Sequence, residues 1–415
     1  MPPARSMLNS VKERASVSEK LTCYNKGKLM NKAVKPLLTI GFRPFFLMAG
    51  LSAAVFLLIW GGFIRHGIFP DNYYSPVGWH AHEMLFGYAL AVLSGFLLTA
   101  IRNWTGMDVA SGNKLAILAV IWLLGRLVPF ANGLLPAELI AGIDLLFLPV
   151  LISYLAMPLW TQRKIQNLPI LLLLAVMFAA NLLFHLTVLG YTESGVTQSL
   201  YLTIGVVMVF IVIIAGRVFP FFIRGGLPGS NPMAWPIVDK LSLFSIVGLM
   251  ILKPFFYETL LFTLCAGIAI LSNIVRMSGW YCRGISKLPL LWVLLTGYSW
   301  LIIGIVLDVL ASYQAAPPQL ALHSITVGAI GVITLGMMSR VALGHTGRPL
   351  IASRSITIAF VMINLAVFSR VIMPLLVPSL YTDWLSLSSS LWVIAFSIFT
   401  VYYMPILLRK RADSV

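Results

Sequence analysis

Charge is scarce in this chain, and acidic charge most of all: 10% of the 415 residues are charged, with 13 Asp and Glu against 29 Lys and Arg. A soluble domain carries about 25% charged residues. Together with 59% hydrophobic residues and a mean hydropathy of +0.93, this excludes an ordinary soluble fold. The net charge of +16 would suggest a nucleic-acid partner in a soluble protein, but here the basic residues follow membrane topology, and no nucleic acid is expected. Cysteine is almost missing. Cys23, Cys265 and Cys282 are scattered without paired spacing, so neither a disulfide framework nor a thiolate metal site is indicated. The first 36 residues also lack any apolar segment of signal-peptide length. They read as a disordered basic cytoplasmic tail ahead of a transmembrane domain over 37–415, with Met30 as an alternative start.

What the chain has is long apolar runs. Runs near 20 residues, enough to cross a hydrocarbon core of about 30 Å, fall at 44–64, 80–101, 115–132, 136–157, 168–190, 197–217, 239–253, 256–275, 288–311, 320–340, 354–375 and 386–408. The seventh and eighth are separated only by Lys253-Pro254, which leaves the seventh short. Twelve spans with both termini cytoplasmic put 25 of the 29 Lys and Arg on the inner side, leaving Arg65, Arg126, Lys253 and Arg370. Only an even number of spans gives that asymmetry. The expected fold is an all-α polytopic helix bundle in a lipid bilayer.

One stretch stands out: Trp79-His80-Ala81-His82-Glu83-Met84 opens the second span. Ionisable groups entering a membrane helix are costly without partners and mark functional sites. Positions two apart on a helix point about 200° from each other, so His80 and His82 serve different neighbours. The alternative is that both cap the helix or hydrogen-bond within the bundle. Topology places His80, His82, His185 and His323 all in the outer leaflet. His66 falls in an outer loop as a solvated residue, and His345 lies on the cytoplasmic side. Glu83, Arg126, Asp144, Asp308 and Arg370 fall in outer halves too. Arg126, Asp144, Asp308 and Arg370 read either as structural ion pairs or as the surroundings of a charged cofactor, the arginines suiting carboxylates such as haem propionates.

Clustered His without Cys suits iron, copper or zinc. A flat haem needs small-residue walls, which Gly87, Ala91, Ser94 and Gly95 offer beside His80, and Gly328, Gly331 and Gly336 beside His323. Close helix packing explains the same residues. Asn181 lies one turn from His185 on the same face, where it can hold the second nitrogen of a metal-bound imidazole. Spans two, six and ten each end in an arginine, Arg102, Arg217 and Arg340, which suggests three four-helix units. Twelve spans with His at the outer ends of spans two and ten is remotely similar to the haem-copper oxidase subunit. However, span six lacks His and span ten has one, so an oxidase-type binuclear centre is not expected.

Five blocks resemble the NnrS family of bacterial inner-membrane proteins. They are Gly41–Phe46 (GFRPFF), Trp79–Gly87 (WHAHEMLFG), Gly95–Ala100 (GFLLTA) with Asn103–Gly106 (NWTG), Gly216–Phe222 (GRVFPFF), and Leu322–Gly331 (LHSITVGAIG) through Gly344–Pro349 (GHTGRP). The resemblance implies haem b and copper in a twelve-span protein linked to nitric oxide and nitrosative stress, located in the bacterial inner membrane. On this reading His80 or His82 ligates haem with His323, and His185 with the remaining His contributes copper or lines a distal pocket. Glu83, Arg126 and Arg370 complete the cofactor surroundings. Nitric oxide or a related small molecule is the expected ligand, a quinone or another donor the electron source, and NO-reactive oxidoreductase chemistry the expected activity class. A transporter or membrane sensor without a redox metal is the competing class. Topology is tested directly: reporters fused after Arg163, Arg283 or the C-terminus should read cytoplasmic, and after Asp71 or Gln319 periplasmic. A periplasmic C-terminus would overturn the twelve-span arrangement.

Overall fold

The structure is a computed structural model that describes residues 36–413. The basic tail up to residue 35, with Cys23 and Met30, lies outside the described residues. The described residues form twelve rods, and among them there is no strand beyond one isolated bridge. In chain order they are α1 Phe42–His66, α2 Pro76–Thr105, α3 Asn113–Ala131, α4 Ala137–Thr161, α5 Ile165–Val188, α6 Val196–Gly226, α7 Pro236–Phe255, α8 Leu260–Trp280, α9 Pro289–Ser312, α10 Pro318–His345, α11 Arg354–Leu376 and α12 Pro378–Leu408. The all-α polytopic bundle is therefore present. Eleven rods are long and apolar enough to cross a membrane. The remaining one, α7, is the span expected to be weakest: its 20 residues include Asp239, Lys240 and Lys253. It packs along α6 and α8.

Local chemistry sets the rod ends. Proline stands in the first turn of α2, α7, α9 and α10, where its missing N–H leaves no hydrogen bond unmade. Ser75 caps α2 by accepting from Gly78 N at 3.2 Å. At the other end α2 stops on Gly106, whose φ of +69° suits glycine. The first and last rods pack together and close the bundle. Arg43 at the start of α1 donates to the carbonyls of Leu407 (2.8 Å) and Arg409 (2.5 Å) at the end of α12. The chain thus enters and leaves the bundle at one face.

Burial identifies the centre. The apolar windows of α2, α10, α6 and α9 are 89%, 72%, 61% and 61% buried, against 33% for α3 and α8. Three of these four, α2, α6 and α10, are the spans that share the terminal-arginine pattern. The small residues of α2 and α10 are used for helix contact. A Cβ at Gly331 would meet the Trp392 ring, one at Gly328 the Trp300 side chain, and one at Gly95 the Phe46 ring. At these three positions the contacts are those of close helix packing, the second of the two readings. Close packing is what small residues give in lipid.

Candidate functional site

The first turns of α2 place His80 and His82 before a π-helical stretch, Glu83–Ala89. Two further π-helical stretches follow the same logic. Ser324–Val332 begins directly after His323 in α10, and Phe368–Ile372 in α11 contains Arg370. Such widened turns are rare and recur at functional sites. Each re-aims the side chains around it.

On one face of α2, His80 opens to a cavity of about 420 Å³ shared by α1, α2, α6, α10, α11 and α12. Its polar lining includes His80, Gln319, His323, Tyr88 and Arg370 amid apolar walls. The His80 ring stacks on Trp60, centroids 4.3 Å apart and 10° from parallel. Its Nδ1 is buried with no hydrogen-bond partner among the described residues. Across the cavity, His323 Nδ1 lies 2.7 Å from the Gln319 carbonyl and therefore carries the proton. That leaves the His323 Nε2 lone pair facing Arg370 Nη2 at 3.3 Å.

On the opposite face, His82 enters a fully enclosed polar cluster. One nitrogen or oxygen from each of His82, Asp144 and His185 lies within 4.8 Å of the other two, all buried. His185 Nε2 is 3.0 Å and His82 Nε2 3.4 Å from Asp144 Oδ2. Asn181 Nδ2 donates to the same oxygen at 2.8 Å, while Asn181 Oδ1 lies 3.0 Å from His82 Nε2. Each imidazole has its other nitrogen tied: His82 Nδ1 to Glu83 Oε1 at 3.4 Å, His185 Nδ1 to the Tyr73 hydroxyl at 3.3 Å. This is the arrangement that orients metal-ligating histidines. Tyr73 and Tyr74 lie in the loop before α2. Burial first, and then the nearby Asp144, push both phenols above their usual range, so both stay protonated.

Arg126 of α3 joins the cluster from beyond. It ion-pairs with Asp144 Oδ1 and, at 3.1 Å, through Nε with Glu83 Oε2. Two glycines make room for these ion pairs. A Cβ at Gly87 would come within 2.9 Å of Glu83 Oε2 and 3.2 Å of Arg126 Nη1, and one at Gly125 within 2.8 Å of Asp144 Oδ1. Trp122 donates to the Gly87 carbonyl at 3.1 Å and closes the side.

The expected site residues thus divide in two. His80, His323 and Arg370 share the cavity; His82, His185, Glu83 and Arg126 share the cluster. Arg126 and Glu83, expected among the cofactor surroundings, bind each other, and neither lines the cavity. Asp308, expected beside an arginine, instead accepts from Lys253 at 2.5 Å, with Tyr201 and Tyr257 rings around the ammonium. His345 stands at the far end of α10 against Phe42, and His66 is exposed at the end of α1. Sequence reading missed Trp60, Gln319, Tyr73 and Tyr74 as site members. Only the adjacency of the Tyr73-Tyr74 pair to the His80-His82 turn could have flagged the two phenols.

A model of the NnrS protein family matches residues 36–411, which includes every residue of both sites. The chain belongs to the NnrS family. No curated protein sequence matches it. For this NnrS chain, Asp144 is the residue on which the cluster turns, since it touches Arg126, Asn181, His82 and His185 at once. Removing one partner of a buried ion pair costs about 3–5 kcal/mol. Asp144→Ala should therefore lower stability by about that amount in equilibrium unfolding of the detergent-solubilised protein. A loss below about 1 kcal/mol, the scale of an exposed pair, would show that the cluster is not what joins α2, α3, α4 and α5.

Proposed function

We propose that the chain is a haem- and copper-carrying protein of the bacterial inner membrane that acts in nitric oxide metabolism and resistance to nitrosative stress. Haem b is assigned to the cavity of His80, His323 and Arg370, and copper to His82, Asp144 and His185. The observation that carries this reading is the division of α2: two imidazoles two residues apart open to two sites with different chemistry. One is a roomy apolar cavity lined by His80 and His323, and the buried His80 Nδ1 has no hydrogen-bond partner among the described residues. The other is a tight donor set of two nitrogens and one oxygen. The bias of Lys and Arg toward the cytoplasmic side supports reading both into the periplasmic half.

The residues fit these roles. The Gln319 carbonyl holds His323 Nδ1–H and keeps Nε2 directed into the cavity. Trp60 fixes the plane of His80 by stacking. Arg370 presents a planar guanidinium suited to a carboxylate at the cavity wall. Haem bound there supplies an iron that can take a diatomic gas. The apolar lining admits a small uncharged molecule such as nitric oxide and disfavours ions. A quinone or another membrane donor fits the supply of electrons, and such chemistry places the protein among NO-reactive oxidoreductases.

Purified protein should show a haem Soret band and contain copper by metal analysis. His80→Ala or His323→Ala should remove or convert the haem signal with copper retained. His185→Ala should lower copper content and leave the haem spectrum intact. Protein isolated with neither a visible band nor metal would overturn this reading and favour a transporter or sensor.

A further inference from the structure

Along α2, α6 and α10, two voids follow one another. The cavity of His80 and His323 takes its lining from residues up to Tyr88 on α2, Ile204 on α6 and Ile330 on α10. A second void, of about 50 Å³, begins where these stop, at Ala89, Val207 and Ile330, with Phe46 of α1 beside them. Ile330 borders both. The space is left by two small side chains, Ala89 on α2 and Ala215 on α6, each at most 2% exposed. Ala89 ends the π-helical stretch of α2 and Ile330 lies within that of α10, so widened turns flank the void on two helices.

Interiors hold few voids larger than a water, and this one is several times the roughly 10–15 Å³ that a water needs. Water nevertheless has nothing to bind there. A buried water makes about three hydrogen bonds, and Thr334 is the one polar lining residue among the described residues. Its hydroxyl is already engaged. It donates to the Ile330 carbonyl at 2.6 Å, and the Tyr88 hydroxyl therefore donates to it, at 2.5 Å. Ions are excluded by the same lack of partners. A lipid chain or a macrocycle is too large. What fits is an uncharged molecule of two or three heavy atoms.

We propose that this void is a docking pocket for a small nonpolar gas of the size of nitric oxide, and that the Tyr88–Thr334 hydrogen bond is the latch between it and the cavity of His80 and His323. Tyr88 belongs to the cavity wall and Thr334 to the pocket wall. The Tyr88 ring is held edge-on by Trp392 and Phe396, with centroids 5.7 and 5.3 Å apart. This bond and the Ile330 side chain stand between the two voids. A gas molecule docked in the pocket waits beside the cavity instead of dispersing into the bilayer. That service to a haem rests on the proposed function, whereas occupancy by a gas depends on the walls alone.

Xenon tests both parts, because it enters dry apolar cavities and requires no haem. Crystals of the full-length protein under xenon pressure should show a peak among Ala89, Ala215 and Thr334, with no water there beforehand. Ala215→Leu, which fills the pocket, should lose that peak. In detergent-solubilised protein, xenon NMR should show slow exchange between pocket and solvent. Thr334→Val keeps the volume and removes the acceptor of the latch; Tyr88→Phe keeps the ring and removes the donor. Each should speed exchange by roughly twofold to tenfold, the range expected for one lost hydrogen bond. Ordered water or a detergent chain in the wild-type pocket, or xenon absent from it, would overturn the docking site. Exchange unchanged in both latch variants would overturn the latch. Xenon bound in the pocket of a protein that carries no haem would remove the haem assignment and leave the docking site standing.

Discussion

An arginine shared between two buried carboxylates is the constraint on which the rest of the site depends. Arg126 on α3 meets Glu83 on α2 and Asp144 on α4, and Asp144 in turn holds His185 and Asn181 on α5. None of these groups reaches solvent to an appreciable extent, so each must find its partner inside the bundle. That requirement draws four consecutive helices to one point. It also demands space where helices would otherwise fill it, which is why Gly87 stands beside the guanidinium and Gly125 beside the Asp144 carboxylate.

The same knot orients α2. With His82 and Glu83 committed to one side, the helix geometry directs His80 to the other, into the cavity with His323 and Arg370. The π-helical turn that starts at Glu83 widens the helix just past this branch point. Matching turns after His323 and around Arg370 occur on the two helices across the cavity. The three irregular turns therefore frame one volume. Regular helices with the same sequence register would present different side chains to it.

Much of this was legible in the residues. The apolar runs marked all twelve rods, because hydrocarbon thickness imposes a length, though the sixth runs on to Gly226 and the twelfth starts early, at Pro378. The seventh and eighth runs were the doubtful pair because Lys253-Pro254 divides them, and of the two only the seventh falls short. The opposite facing of His80 and His82 followed from the 3.6-residue turn alone. Partner choice was not legible. Arg126 has no local signal that distinguishes an ion pair with Glu83 from a cofactor contact, since the contact crosses 43 sequence positions and depends on how α3 packs on α2. Asp308 found Lys253 instead of an arginine for the same reason. The glycines of α2 and α10 looked equally suited to a flat ligand and to close packing, and the packed Trp392, Trp300 and Phe46 rings decide for packing. The π-helical turns have no sequence signature comparable to a cap or a proline, so the widening of α2 could not be read in advance.

The central claim is that one helix divides two metal-bearing sites between its faces. Its most direct test is a crystal of the loaded protein examined at the iron and copper absorption edges. The account predicts an iron peak between His80 and His323 and a separate copper peak among His82, Asp144 and His185. Both metals within one site, or iron bound at His82 and His185, would contradict it.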